Sequence, residues 1–467
     1  QKLSVKYEDP LPLSKDVFLV SRTIGPMKAG IMGIFLVDRF GNEVLVHKSD
    51  QPKVGCFDPM LVRTTPKPAA PADEVDYSKK TGTFAVMNVY EGTHMEGVKP
   101  GSVKYLRVVD NPPKMFWSGP SYKGHGAQAP AMNFYDFDNK RVLGTVPVEA
   151  DGSVQFTAPI DKFVYFQLLD ENGKMIQSMR SGIIVQPGEM NACIGCHDDR
   201  DNAPPPRPIS KLAALQKAPF NITEATAETK GNFSYQEVVQ PIFDKHCISC
   251  HDYDKKAGKK LNLSGDQTAM FAVSYIELHK KKMITPVGGG ANKIYNAYEW
   301  GSHQSKLIKT LEGKHHDVAL SDDELRTLIT WVDLNAPYYP DYSTAYWGNP
   351  GGRSPLTGKD QGQMSKLTKV KIERYTHGGP WHFNFTRPEF SPILENVKDD
   401  ATKAKVIEII KRGSERLRTT PRNDMPGYVP SEEHQLRTKR YEELYQRELA
   451  NRRAIQTGNK VYDPGIK

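Results

Sequence analysis

The sequence predicts a mixed, multidomain chain. A β-rich N-terminal part, made of short hairpin strands and a β-sandwich-like middle domain, is followed by an α-helical domain and a helical C-terminal extension. Three observations predict it. At 467 residues the chain is too long for one ordinary core, so several domains are expected. Up to residue 187 the apolar residues come in short runs separated by turn chemistry, whereas from 232 onward they recur at helical spacing behind capping signals. Proline-rich stretches at 66–71 and 204–208 punctuate the chain as stiff segments. The boundaries that follow are 1–65 for N-terminal strands, 66–80 for a linker, 81–230 for the β-rich middle domain, 231–345 for the helical domain, and 346–467 for an irregular segment with a helical arm.

In the first part, 17–20 and 34–37 are short apolar runs, and a turn at 38–42 leads into 44–46. They read as hairpin strands of an incomplete sheet. In the middle, strands are expected at 84–90, 103–109, 142–148, 153–157, 163–169 and 183–185. Asp151-Gly152 and Asn172-Gly173 have the chemistry of tight turns that need positive φ. Strands at this spacing suggest a sandwich. Beyond 232, Ser234 and Glu237 form a capping box ahead of Tyr235, Val238, Val239, Ile242 and Phe243, with Pro241 expected to kink the helix. Ser321 and Glu324 form another, ahead of Leu325, Leu328, Ile329 and Val332; Asn335-Ala336-Pro337 ends that helix. Further helices are expected at 399–411, stopped by Gly413, and at 432–454, where charge alternates around a thin stripe of Tyr441, Leu444, Tyr445 and Leu449.

Charged residues at 25% and aromatics at 9% fit a soluble globular protein. The net charge of +8 is modest, and the basic residues do not gather into a nucleic-acid footprint. Lysine clusters at 255/256, 259/260 and 280–282 read as solvated surface before they read as a partner's landing site. No window approaches the roughly 18–20 apolar residues of a membrane helix. The chain begins at Gln1 without a signal peptide, as would a mature secreted form or a chain whose start is missing.

Cysteine is the sharpest signal. Four of five cysteines sit in two copies of one pentapeptide, Cys193-Ile194-Gly195-Cys196-His197 and Cys247-Ile248-Ser249-Cys250-His251. In Cys-x-x-Cys-His the two thiols add to the two vinyl groups of haem, and the adjacent histidine reaches the iron as proximal ligand. The competing readings fit less well. A zinc ribbon places its pairs about 15–20 residues apart, whereas Cys196 and Cys247 are 51 positions apart. A thioredoxin-like redox pair wants a βαβ setting, which the pattern lacks. The expectation is two covalently bound haem c groups with iron, held by Cys193/Cys196 and Cys247/Cys250, with His197 and His251 on the metal. Cys56, outside both copies, reads as a lone buried cysteine beside a turn.

For the far side of the second haem, His315 and His316 stand as a pair ahead of the closing helix, with His303, Met283 and Met425 as alternatives. His377 and His382 flank a Gly-Gly-Pro-Trp run and are candidates to line a haem edge. No methionine or histidine follows the first motif closely, where Asp198, Asp199, Arg200 and Asp201 crowd instead; His94 and His125 are candidates from the β domain. If neither binds, the first pocket keeps an open position and is the place for chemistry, with Asp201 as candidate catalytic group.

The runs Gln177-Ser178-Met179-Arg180-Ser181-Gly182 and Gln186-Pro187-Gly188-Glu189, then the first motif and Ala203-Pro204-Pro205, resemble the middle domain of hydrazine synthase alpha subunits. Similar matches are Gly101-Ser102-Val103-Lys104-Tyr105-Leu106-Arg107-Val108-Val109, the segment 316–337 with Trp331-Val332-Asp333-Leu334-Asn335, and Arg422-Asn423-Asp424-Met425-Pro426-Gly427. The resemblance implies a dihaem subunit outside the cytoplasm, in the periplasm or an equivalent compartment, working with other cytochrome subunits or a redox partner. It also implies that the N-terminal strands are the last part of a β-propeller and that 231–345 is a cytochrome c-like domain. In that family the middle-domain haem is where the nitrogen–nitrogen bond forms. A tyrosine four residues after the motif histidine binds its iron, and the histidine is drawn to zinc. Here that position is Asp201, and no tyrosine occurs between Tyr165 and Tyr235. The second haem of the family has two histidine ligands, matching His251 with His315 or His316. The leading expectation is a dihaem cytochrome that transfers electrons and does redox chemistry on a small nitrogen compound at the first haem. One alternative is a genuine nitrogen–nitrogen bond-forming subunit; another is a non-catalytic relay or docking subunit.

Overall fold

The computed structural model describes residues 5–25, 30–64, 75–115, 133–134, 138–196, 208–222, 233–287, 295–345, 354–372 and 382–459. The chain divides into two compact units, Gln1–Asp73 and Glu74–Lys467.

The first unit is an antiparallel meander of β1 (Tyr7–Pro12), β2 (Val17–Ile24), β3 (Ile31–Asp38) and β4 (Glu43–His47), paired in that order. Asp38 builds the β3–β4 turn: its Oδ1 accepts the Phe40 and Asn42 amides, both at 2.9 Å. Val20, Met32 and Phe35 are buried, while Val44, Leu45 and Val46 of β4 are exposed.

The second unit begins with two more sheets. One runs β10 (Met175–Ser178), β9 (Val164–Leu169), β6 (Tyr105–Asp110), β7 (Arg141–Pro147), all antiparallel. The other runs β11 (Met190–Cys193), β5 (Thr81–Val86), β8 (Val154–Pro159), β12 (Phe220–Asn221), with β11 parallel to β5 and β12 parallel to β8. Gly152 and Gly173 supply the positive φ that their turns require. Phe84, Phe156 and Phe166 meet with ring centres 5.2–5.7 Å apart and join both sheets to one core.

The expected fold class is therefore corrected. The fold is mixed α/β and multidomain, but among the described residues its sheets are neither closed nor curled, so the propeller-like reading of the N-terminal strands does not hold. Alternating apolar residues and tight turns specify hairpins. Closure depends on which edges meet, and a local pattern does not encode that.

The helical part contains α1 (Gln240–His246), α2 (Val273–Lys280), α3 (Lys306–Glu312), α4 (Asp322–Asp333), α5 (Gly358–Thr368), α6 (Asp400–Thr419) and α7 (Glu432–Gln456). Its core is aromatic: Tyr235, Phe243, Phe271, Tyr275, Trp331, Tyr338 and Tyr339 are fully buried. Two local expectations change. Ser234 caps nothing with its side chain, because Tyr235–Val239 forms a π-turn. Pro241 then falls in the first turn of α1, where its missing amide costs nothing. Gly413 does not stop α6, which runs on to Thr419. A Cβ there would lie 2.4 Å from the Phe385 ring, so this glycine serves close packing. The Ser321–Glu324 capping box of α4 is formed, with Ser321 N donating to Glu324 at 2.8 Å.

Helix α4 is stitched to the β6-containing sheet by buried polar groups. The Asp333 carboxylate accepts from Met175 N at 3.0 Å, Ser302 N at 2.7 Å and Ser302 Oγ at 3.0 Å. Arg107 reaches across to Thr330 Oγ1 at 3.0 Å and lies 3.9 Å from Asp333. Among the described residues no helix is long and apolar enough to cross a membrane.

Candidate functional site

Strand β11 carries the first cysteine pair to the rim of the core. Cys193 pairs with Val86 in parallel register, and its carbonyl accepts from Met87 N at 2.9 Å. The spacer then turns against the loop after β5: Asn88 N donates to Ile194 O at 3.1 Å and Cys196 N to Glu91 O at 2.8 Å. Gly195 is required here, since a Cβ would lie 2.4 Å from the Glu91 carbonyl oxygen. Cys193 and Cys196 thus line one cavity of about 220 Å³, walled by Leu106, Phe166 and Leu168 and bordered on its polar side by Gln177 and Ser178. The Gln177 amide is held in place, donating to the carbonyls of His94 and Tyr295 and accepting from Ser178 N. A mostly apolar chamber of this size takes a small molecule.

The second pair sits at the end of α1. Cys247 N donates to Phe243 O, and His251 N to Cys247 O, both at 2.8 Å, so the motif coils as a continuation of the helix. Burial pushes the Cys247 thiol up to about 11, with Asp244 and then Cys250 adding to it. Cys250 is exposed. His251 Nδ1 lies 2.9 Å from Leu261 O, which fixes the ring, and the His315 ring faces it with centres 6.1 Å apart and planes 35° off parallel. His316 stands edge-on to His315 at 5.0 Å. Burial, then His316 and His251, lowers the pKa of His315, which favours the neutral imidazole. The fold therefore brings His251, His315 and His316 together from positions more than sixty residues apart in sequence.

Other candidates disperse. His303 lies 3.2 Å from Asp170. His94 meets Asn296 at 3.1 Å. Met283 and Met425 pack partly buried against the helical core. His382 is partly buried, and Cys56 donates its amide to Met32 O. His197, Asp201, His125 and His377 lie outside the described residues.

The expected cofactors, two covalently bound haem c groups with iron and a zinc near the first, are corrected here. Among the described residues no group of three or more His, Cys, Asp or Glu side chains is placed to hold a metal ion. Sequence adjacency brings ligating residue types near one another, but convergence of their donor atoms is a property of the fold.

One group escapes sequence reasoning. Arg387 forks onto Asp252, directly after the second motif, at 2.6 and 2.9 Å, and its Nε donates to Asp266 at 2.7 Å. Its guanidinium lies 4.7 Å from the ring centre of Tyr253, which stacks on Phe390. The 136-residue gap between His251 and Arg387 leaves no local signal for this clamp.

Residues 101–198 match the family model described as hydrazine synthase alpha subunit middle domain. Hydrazine synthase subunit alpha of Kuenenia stuttgartiensis is 22% identical over 280 residues, which is 45% of this chain and 35% of that protein. The solved Kuenenia stuttgartiensis hydrazine synthase shares the fold at a TM-score of 0.50 and 19% identity, over 72% of this chain and 56% of that one. The chain thus spans about a third of the curated relative's length. The matched segment and the shared fold make this chain a distant homologue of the hydrazine synthase alpha subunit.

Proposed function

We propose that this chain is a nitrogen–nitrogen bond-forming subunit of the hydrazine synthase type, and that its reaction chamber is the cavity on Cys193 and Cys196. One observation carries the reading. Every lining residue of that cavity except Val86 lies inside the segment that matches the middle-domain family model. The reaction proposed is the joining of ammonia and hydroxylamine to give hydrazine and water. One nitrogen–nitrogen bond forms, the nitrogen–oxygen bond breaks with water leaving, and no outside electrons are consumed. Reactants of this size fit the chamber. The chamber confines them side by side, and proximity is what a condensation between two small molecules needs from a protein. Cys193, Cys196, His197 and Asp201 belong to this site in the proposal. Cys247, Cys250, His251, His315 and His316 form a second site that serves it. The subunit would work outside the cytoplasm, in a complex with further subunits.

The test is hydrazine production from isotopically labelled ammonia and unlabelled hydroxylamine by the protein with its natural partners. Labelled hydrazine should appear and should fall strongly in a folded Phe166→Trp variant, whose larger ring fills the chamber. Absence of labelled hydrazine from the assembled complex, or undiminished production by a folded Phe166→Trp variant, sinks the reading.

A further inference from the structure

A feature of the helical core is used by neither site. Tyr338 is completely buried, and its hydroxyl donates to Asp424 Oδ2 at 2.7 Å while accepting from Gln236 Nε2 at 3.2 Å. Asp424 is itself buried and held by Arg422, whose Nε and Nη2 each donate to it at 3.0 Å. Arg422 is anchored in turn on the carbonyl of Thr268 at 2.7 Å and on Gln267. A buried, charge-assisted network of this kind holds the carboxylate aimed at the phenol.

The neighbours of Tyr338 are aromatic. Its ring stacks on Tyr235 with centres 5.4 Å apart and planes 24° from parallel, and Tyr235 lies 5.3 Å from Trp331. Phe271, Tyr275 and Tyr339 approach Tyr338 at 4.7–4.9 Å. Cys247 of the second motif packs partly buried against the same aromatic core. The hydroxyls differ in their acceptors. Tyr275 donates to Ala336 O, Tyr339 to Met270 O, and Tyr235 to Ser274 Oγ, none of which can keep a proton. Tyr7 and Tyr445 also donate to carboxylates, Glu43 and Asp161, but neither tyrosine is buried.

We propose that Tyr338 is a redox-active tyrosine, which gives one electron through Tyr235 and Trp331 to an outer-sphere one-electron oxidant while passing its proton to Asp424. This goes beyond bond formation at the first site and does not depend on it. The step balances: one electron leaves the phenol for the oxidant, which is reduced by one electron, and one proton crosses the hydrogen bond to Oδ2. The products are a neutral phenoxyl radical and a neutral carboxylic acid. An oxidised phenol is a strong acid, so even a carboxylate paired with arginine takes its proton. Burial of both groups shields the proton transfer and the radical from bulk solvent and from other molecules.

The experiment is flash photo-oxidation of the full chain with a ruthenium tris-bipyridine sensitiser and a cobalt(III) amine acceptor, followed by EPR of samples frozen at increasing delays with ascorbate present. Ascorbate quenches radicals on exposed tyrosines, so a persistent neutral tyrosyl signal is expected from the buried site. That signal should vanish in Tyr338→Phe and remain in Tyr445→Phe, the control that shares the carboxylate but not the burial. A persistent signal of full size in folded Tyr338→Phe overturns the proposal. So does complete quenching of the unaltered protein by ascorbate, which holds even if the variant fails to fold.

Discussion

At Asp333 burial outweighs a nearby cation and three hydrogen bonds. The carboxyl is pushed up to about 6 by desolvation, while Arg107, Ser302 and Met175 pull it the other way. The folded value lies above the ordinary value near 3.9, so the native state holds this proton more tightly. The stabilising share is complete below about pH 4 and is lost as the pH rises through about 6, on the order of 3 kcal/mol in all. In urea titrations the stability advantage of the unaltered protein over Asp333→Asn should therefore shrink across that window; a gap that does not change with pH refutes it. Arg107→Ala strips the buried carboxylate of its cation and should cost about 3–5 kcal/mol. Gly195 gives a second prediction at this scale. Gly195→Val drives a side chain into Glu91 and should cost about 1–3 kcal/mol by denaturant unfolding, whereas Ser249→Val, at the equivalent exposed spacer position, should stay within about 0.5 kcal/mol. The cysteine motifs were legible at once because their spacing is local. The difference between their two spacers was not, because Glu91 is a hundred residues from Gly195.

Among the elements, α4 and α6 contrast a signal that reads correctly with one that misleads. Ser321 and Glu324 announce the start of α4 because capping is completed within four residues. Ser321→Ala should lower stability by about 1 kcal/mol, measured as a shift in the denaturation midpoint. Gly413 looks like a helix stop in sequence but lies inside α6 against Phe385 and Leu356. In an exposed helix, Gly→Ala gains about 1 kcal/mol. Gly413→Ala should instead destabilise, and adding Phe385→Leu should recover part of the loss. A stabilised Gly413→Ala protein would show that the contact relaxes at no cost. The π-turn at Tyr235–Val239 belongs to the same class, since Tyr235 N donates to Tyr338 O more than a hundred residues away, and no local pattern announces that partner.

For the whole molecule, three open sheets among the described residues replace the propeller that the resemblance implied for the N-terminal strands. The second unit depends on a core shared between two of them, so Phe156→Ala should cost about 3–5 kcal/mol by calorimetry or denaturant titration. A loss under 1 kcal/mol would mean that the two sheets do not share that core. From the sequence alone came the β-then-α order, the two Cys-x-x-Cys-His segments and the resemblance to hydrazine synthase alpha subunits. All of these rest on spacing within a few turns or on segment likeness, which a linear code preserves. Tertiary structure alone decided that the sheets stay open, that Cys193 and Cys196 share a chamber with Phe166, that Arg387 grips Asp252, and that Tyr338 meets Asp424 in the core. Each is a contact between segments far apart in the chain. Its energy depends on burial and on the geometry of groups that only folding brings together.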